Sequence, residues 1–119
     1  MIERIEISGV HTIATPELQK YVTKKIGKLD RYLPKNARES VHAEVMLKEV
    51  KSKNKKQCVC EVIMHVPKET ITIKEATINM FASVDIVEAK LRNQLKKYKE
   101  THSNVKLHRK LLARIKRKG

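Results

Sequence analysis

From Ser40 to Val50 the apolar residues Val41, Ala43, Val45 and Leu47 occupy every second position, with His42, Glu44, Met46 and Lys48 between them. Side chains alternate faces along a strand, so this period of two describes a strand with one apolar and one wet face. The pattern returns in Gln57 to Val66, where Cys58, Cys60, Val62, Met64 and Val66 share a face, and again in Thr70 to Thr77, where Ile71 and Ile73 alternate with threonines and Lys74. Lys51 to Lys56 (KSKNKK) reads as the turn between the first two runs, and Pro67 ends the second, with Lys68 and Glu69 connecting to the third. Three such runs in succession predict an antiparallel meander whose single apolar face needs a cover.

The cover is in the flanking segments. Thr15 is placed to cap a helix, Pro16 and Glu17 suit its first turn, and Leu18, Val22, Ile26, Leu29 and Leu33 follow one face until Pro34. A second helix is expected to start at Ala82 or Ser83, with Asp85 and Glu88 early, lysines late, and Val84, Val87, Leu91, Leu95 and Tyr98 as its apolar stripe. Ahead of the first helix, Ile2 to Ser8 reads as a strand ending in a turn at Gly9. The order is β-α-β-β-β-α. Two amphipathic helices bury their stripes only against the apolar face of a four-stranded sheet, which predicts an α+β two-layer sandwich with both helices packed on one face.

Charge is distributed unevenly over this plan. The formal net charge is +14, and residues 90–119 hold twelve Lys or Arg against the single acid Glu100, so that segment carries +11. The first 89 residues, with fifteen bases and twelve acids, carry only +3. Local basicity of this kind points to a polyanion, because each neutralised phosphate releases counterions without any need for sequence recognition. On the second helix Lys90, Asn93 and Lys97 fall on one flank of the stripe and Arg92, Lys96 and Lys99 on the other. Beyond it the apolar residues Leu107, Leu111, Leu112 and Ile115 are scattered among bases, which predicts a folded domain over residues 1–101 and a basic flexible tail or linker over 102–119.

Other chemistries find little support. Glycine is limited to Gly9, Gly27 and Gly119, so there is no phosphate-cradling loop, and neither GxSxG nor HExxH occurs. The acids are scattered among lysines instead of clustering for metal-assisted hydrolysis, and the chain reads as non-enzymatic, with no cofactor and no small-molecule substrate. Zinc is disfavoured because a strand puts His65 on the face opposite Cys58 and Cys60 and no second cysteine pair exists. The two cysteines project from one face, poorly placed to pair with each other, and are expected to stay reduced. No stretch reaches the roughly 18 apolar residues of a membrane span, and Glu3 and Glu6 are unlike a secretory leader, so the expectation is a cytoplasmic protein without a membrane partner. Lys20, Lys24 and Arg31 read as solubilising charge, Tyr21, Tyr32 and Tyr98 as core-edge residues in preference to base-stacking ones, and Phe81 as core.

With the element order, the segments TPELQKYVTKKIGKLDRYL and ATINMFASVDIVEAKLRNQLKKYK give the chain a family resemblance. It resembles the ribosome hibernation-promoting factor and ribosome-associated inhibitor A family, also called the sigma-54 modulation protein family, over residues 1 to about 100. The most specific part is Met80, Phe81, Ala82, Ser83, Val84 and Asp85 followed by Lys90, Leu91, Gln94, Leu95, Lys97, Tyr98 and Lys99. The resemblance implies a factor that binds the small (30S) ribosomal subunit in the messenger and transfer RNA channel near the decoding centre and inhibits translation by occupancy. It carries over Lys25, Lys28, Lys90 and Lys97 as contacts to 16S ribosomal RNA, with Arg92, Lys96 and Lys99 in support. It leaves open whether 70S or dimerised ribosomes are further partners, and whether the chain is a short form or the amino-terminal domain of a long one. Two positions depart from the family pattern, since Asn93 stands where an arginine is usual and Val10 where a base follows the first-strand glycine. The rival reading is a general double-stranded RNA-binding module, which shares the α-β-β-β-α order but has a GKKxAK-type helix start that this chain lacks.

Overall fold

The alternating runs pair so that every apolar position meets another. In the computed structural model, which describes residues 1–102, Ala43 lies opposite Met64, Val45 opposite Val62 and Leu47 opposite Cys60, and all six side chains are buried. The strands are β1 (Arg4–Val10), β2 (His42–Ser52), β3 (Lys55–Val66) and β4 (Glu69–Thr77), in the spatial order β1-β2-β3-β4. β2, β3 and β4 form the antiparallel meander, while β1 pairs with β2 in parallel. A parallel neighbour requires a long crossover. Here it contains helix α1 (Pro16–Gly27), a 3₁₀ segment (Lys28–Tyr32) and a short helix α2 (Lys35–Arg38).

Helix α3 (Met80–His102) packs on β3 and β4, and α1 packs on β1 and along α3. Both helices therefore cover one face of a mixed four-stranded sheet, the two-layer α+β sandwich that the hydrophobic pattern predicts. Val22, Ile26, Leu29 and Leu33 come from the first helical region and Val84, Val87, Leu91 and Leu95 from α3, and all eight have no exposed surface. Phe81 is half-buried and packs edge-on against Tyr21, with ring centroids 5.0 Å apart.

Several boundaries differ from the sequence expectation, each for a local reason. β1 begins two residues later than expected and runs through Gly9 to Val10, and the chain turns at His11 with φ 56°. Glycine is needed at position 9 because a Cβ there would lie 2.5 Å from the Thr12 carbonyl oxygen folding back over it. The first helix, expected to continue to Pro34, stops being α-helical at Gly27, whose carbonyl accepts from the Ile2 N–H at 2.9 Å. The chain keeps winding as 3₁₀ turns, so Leu29 and Leu33 still reach the core. Helix α2 had no sequence signal beyond Pro34, which begins it, and Ala37, which it buries. Most of KSKNKK is strand: only Lys53 and Asn54 turn, with φ 42° and 48°, the double positive φ of a type I′ hairpin. At the next turn Lys68 takes φ 69° after Pro67, and Glu69 already pairs with Val66.

Helix α3 starts two residues before the earlier of the two expected positions because the cap is Asn79. Its Oδ1 accepts from the N–H groups of Phe81 (2.8 Å) and Ala82 (3.4 Å). Ser83, fully buried, donates from Oγ to the Cys58 carbonyl at 2.6 Å and lies 2.8 Å from Thr77 Oγ1, tying the first turn of α3 to β3 and β4. The expected tail, apart from His102, lies outside the described residues.

These contacts set the expected stability losses. Leu91→Ala should cost about 2–5 kcal/mol, as core leucine truncations do, and Asn79→Ala about 1 kcal/mol through the lost cap. Urea denaturation of the two variants against the parent checks both values and their order.

Candidate nucleic-acid interface

α1 and α3 lie side by side and run in the same direction. Tyr21 packs on Phe81 and donates its hydroxyl to Asp85, Lys25 reaches Asp85 at 3.6 Å, and about three turns further along α3 Lys96 lies over the ring of Tyr32. All seven expected RNA contacts belong to the elements of this helical layer and are exposed or half-buried. Lys90 and Lys96 confirm the expected flanks of α3: Lys90 pairs with Glu75 of β4, while Lys96 faces the 3₁₀ segment.

The seven cations are not equivalent. Lys25 is paired with Asp85, as Lys90 is with Glu75, so two of the carried-over contacts already have an internal carboxylate partner. Lys28, at the start of the 3₁₀ segment, and Arg92 on α3 are half-buried and make no ion pair among the described residues. Lys97 and Lys99 are exposed. Over the ten positions from Lys90 to Lys99 there are five bases and no acid, all on a helix whose opposite side is the core. Their mutual repulsion is a standing cost that an anionic ligand removes.

The open face of the sheet differs. Strand register places Arg4, Glu6, Glu44, Lys48, Lys55, Glu61 and Lys74 there, four bases and three acids, with Met46 exposed between the glutamates. A polyanion therefore meets a basic surface on the helical side and a nearly balanced one on the other. On the open face His42 and His65 stack across β2 and β3 at 4.3 Å, with Glu44 Oε2 3.5 Å from His65 Nε2. Cys58 and Cys60 are on the core side, free and buried, and burial pushes the Cys60 thiol up to about 12, far from the reactive thiolate range. Among the described residues no group of three His, Cys, Asp or Glu is arranged to hold a metal ion, and no helix is long and apolar enough to cross a membrane.

Sequence reasoning missed the carboxylates that hold two of the lysines. Asp85 read only as a helix-dipole residue, although its place one residue from Val84 on the stripe puts it beside the facing helix. Glu75 could not be matched with Lys90 without the register of β4 under α3. Tyr21 and Tyr32 do sit at the core edge, whereas Tyr98 is buried in the core itself and donates to the Pro67 carbonyl at 2.8 Å.

The fold and the site together define a two-layer α+β domain that presents a preset basic helical surface. The chain belongs to the sigma-54 modulation protein / S30EA ribosomal protein family, whose model matches residues 5–103. It is 35% identical over 96 residues to the ribosome hibernation promotion factor of Lactococcus lactis subsp. cremoris (strain MG1363), covering 81% of this chain and 49% of that protein. Against the Staphylococcus aureus (strain COL) factor of the same name it is 29% identical, with 81% and 48% covered, so the chain spans about half the length of these relatives. The fold matches the Thermus thermophilus Protein Y N-terminal domain with a TM-score of 0.67 at 24% identity, covering 82% of this chain and 97% of that one. A ribosomal subunit interface protein from Coxiella burnetii gives 0.64 at 26% identity, with 81% and 97% covered.

The Tyr21–Asp85 contact offers a direct check of the seam. The hydrogen bond to Asp85, then burial, raises the Tyr21 hydroxyl from 10.0 to about 12. Its stabilisation is therefore complete below pH 10 and is lost as pH rises through about 12. Asp85→Asn should move this ionisation back toward 10.0, read by ultraviolet difference titration of tyrosinate; an unchanged titration would contradict the contact.

Proposed function

We propose that the chain is a ribosome hibernation factor that docks its helical surface on 16S ribosomal RNA of the small (30S) subunit. It occupies the messenger and transfer RNA channel near the decoding centre and inhibits translation by blocking it, with no catalytic step and no cofactor. The observation that carries this reading is the row of five cations from Lys90 to Lys99, fixed at helical spacing without an acid, in a family with relatives named hibernation promotion factors. Fixed spacing matters because phosphate contacts position a protein on RNA, and a preset array can match one folded surface better than another.

Lys90, Lys97, Lys25 and Lys28 are the primary phosphate contacts, supported by Arg92, Lys96 and Lys99. Lys25 and Lys90 exchange a carboxylate for a phosphate on binding. Exposed ion pairs stabilise by about 0–1 kcal/mol, so the exchange costs little. The folded domain, residues 1–101, supplies the matching surface, and residues 102–119 act as an electrostatic tether that adds attraction with little selectivity. The factor acts in the cytoplasm, where its ribosomes are.

Two measurements test the reading. In co-sedimentation the chain should prefer 30S subunits to free duplex RNA by roughly tenfold or more, whereas equal affinity would identify a general double-stranded RNA binder. Replacing Lys90 and Lys97 by Glu should leave the fold intact and lower the salt dependence of 30S binding, log K against log salt, by about two. An unchanged slope would remove these two residues from the interface.

A further inference from the structure

Tyr32 ends the 3₁₀ segment half-buried against the core, and two cations from different elements lie over its ring. The Arg31 guanidinium carbon is 5.4 Å and the Lys96 ammonium 5.5 Å from the ring centroid. Neither has a carboxylate at ion-pair distance among the described residues, unlike Lys25, Lys56 and Lys90. The tyrosine hydroxyls differ in the same way. Tyr21 donates to Asp85 and Tyr98 to the Pro67 carbonyl, while the Tyr32 hydroxyl has no hydrogen-bond partner among the described residues.

We infer that Arg31, Lys96 and the Tyr32 hydroxyl form a phosphate clamp, a site for one stretch of RNA sugar-phosphate backbone at the junction of the 3₁₀ segment and α3. This rests on the RNA-binding reading and adds to it a site on the first helical region that includes Arg31, which its sequence context marks only as solubilising charge. The two cations can be no further apart than their two ring distances laid end to end, so they repel each other, and a stretch of anionic backbone that touches both removes that repulsion.

The ring is what makes the pair a site. The electron-rich ring attracts both heads and holds each within 5.5 Å of its centroid before any ligand arrives, so less side-chain freedom is lost on binding. The guanidinium fork suits two phosphate oxygens, the ammonium supplies a point charge, and the phenol donates a further hydrogen bond. The cations over the ring occupy the surface on which a base would stack, so the ligand is backbone and not base, and recognition is independent of sequence. Tyr32 is thus a positioning residue for two charges as well as a donor.

The test uses the full chain with Arg31→Gln, Lys96→Gln, Tyr32→Phe and Tyr32→Leu, and Lys20→Gln, an exposed lysine on α1, as control. Binding to 30S subunits is measured across a salt series. Arg31→Gln and Lys96→Gln should each lower the salt slope by about one, and the double variant should lose less than the two single losses combined because both cations serve one phosphate stretch. Tyr32→Leu keeps both charges yet should weaken binding as much as loss of a cation, while Tyr32→Phe loses less. If Arg31→Gln and Lys96→Gln match Lys20→Gln while the parent still binds, the clamp is wrong and the ribosome reading stands. If Tyr32→Leu, checked to be folded, binds as the parent does, the positioning role is wrong. A parent that ignores 30S subunits overturns the ribosome reading alone. A parallel NMR titration with a short RNA oligonucleotide then decides the clamp: shifts at the Arg31 Nε–H and the Tyr32 ring support it, and their absence overturns it.

Discussion

The burial of one stripe of α3 under the sheet is the contact on which the rest depends. Val84, Val87, Leu91 and Leu95 have no exposed surface, and the helix that carries them packs on β3 and β4. That burial fixes the rotation of the helix about its axis. Once it is fixed, Lys90 and Lys97 must face β4, Arg92 and Lys96 must face the first helical region, and none of them can turn inward. The hydrophobic core thereby sets the geometry of a charged surface, and the Ser83 hydrogen bonds to Cys58 and Thr77 prevent the helix from sliding along the sheet.

The seam between the helices divides by charge. At its beginning, Asp85 receives the Tyr21 hydroxyl and the Lys25 ammonium, so the basic surface there is locally balanced. At its end, Arg31 and Lys96 share the ring of Tyr32 without an acid. The same framework of one tyrosine and neighbouring cations therefore yields a closed contact at one end and an open one at the other. At the open end a phosphate would bring attraction without displacing a carboxylate, whereas at Lys25 it would first have to displace Asp85. The sheet's outer face, with Glu6, Glu44 and Glu61 set among Arg4, Lys48, Lys55 and Lys74, has no comparable excess.

Much of this was legible in the sequence where a pattern maps directly onto geometry. The period-two runs through Val45 and Val62 and the helical stripe through Leu91 specify the faces, and the faces specify the layers. Boundaries were harder, since they turn on single contacts between distant segments. The Ile2 amide takes the Gly27 carbonyl, and the Thr12 carbonyl folds over Gly9, neither of which local periodicity contains. Lys53 and Asn54 show the same limit: a lysine-rich run reads as loop, yet two positive-φ residues suffice to turn and the rest pairs as strand. The candidate surface was legible as an excess of charge on α3, whereas which cations are already matched, and which meet over an aromatic ring, depends on packing between α1, the 3₁₀ segment, β4 and α3.

The central claim is that the helical layer, not the sheet, faces ribosomal RNA. A cryo-electron microscopy reconstruction of the chain bound to the 30S subunit tests it directly. The account predicts α1, the 3₁₀ segment and the Lys90–Lys99 side of α3 against 16S ribosomal RNA phosphates in the messenger and transfer RNA channel, with the face bearing Glu6, Glu44 and Glu61 turned away. Density showing that sheet face against the RNA, with the α3 lysines in solvent, would contradict it.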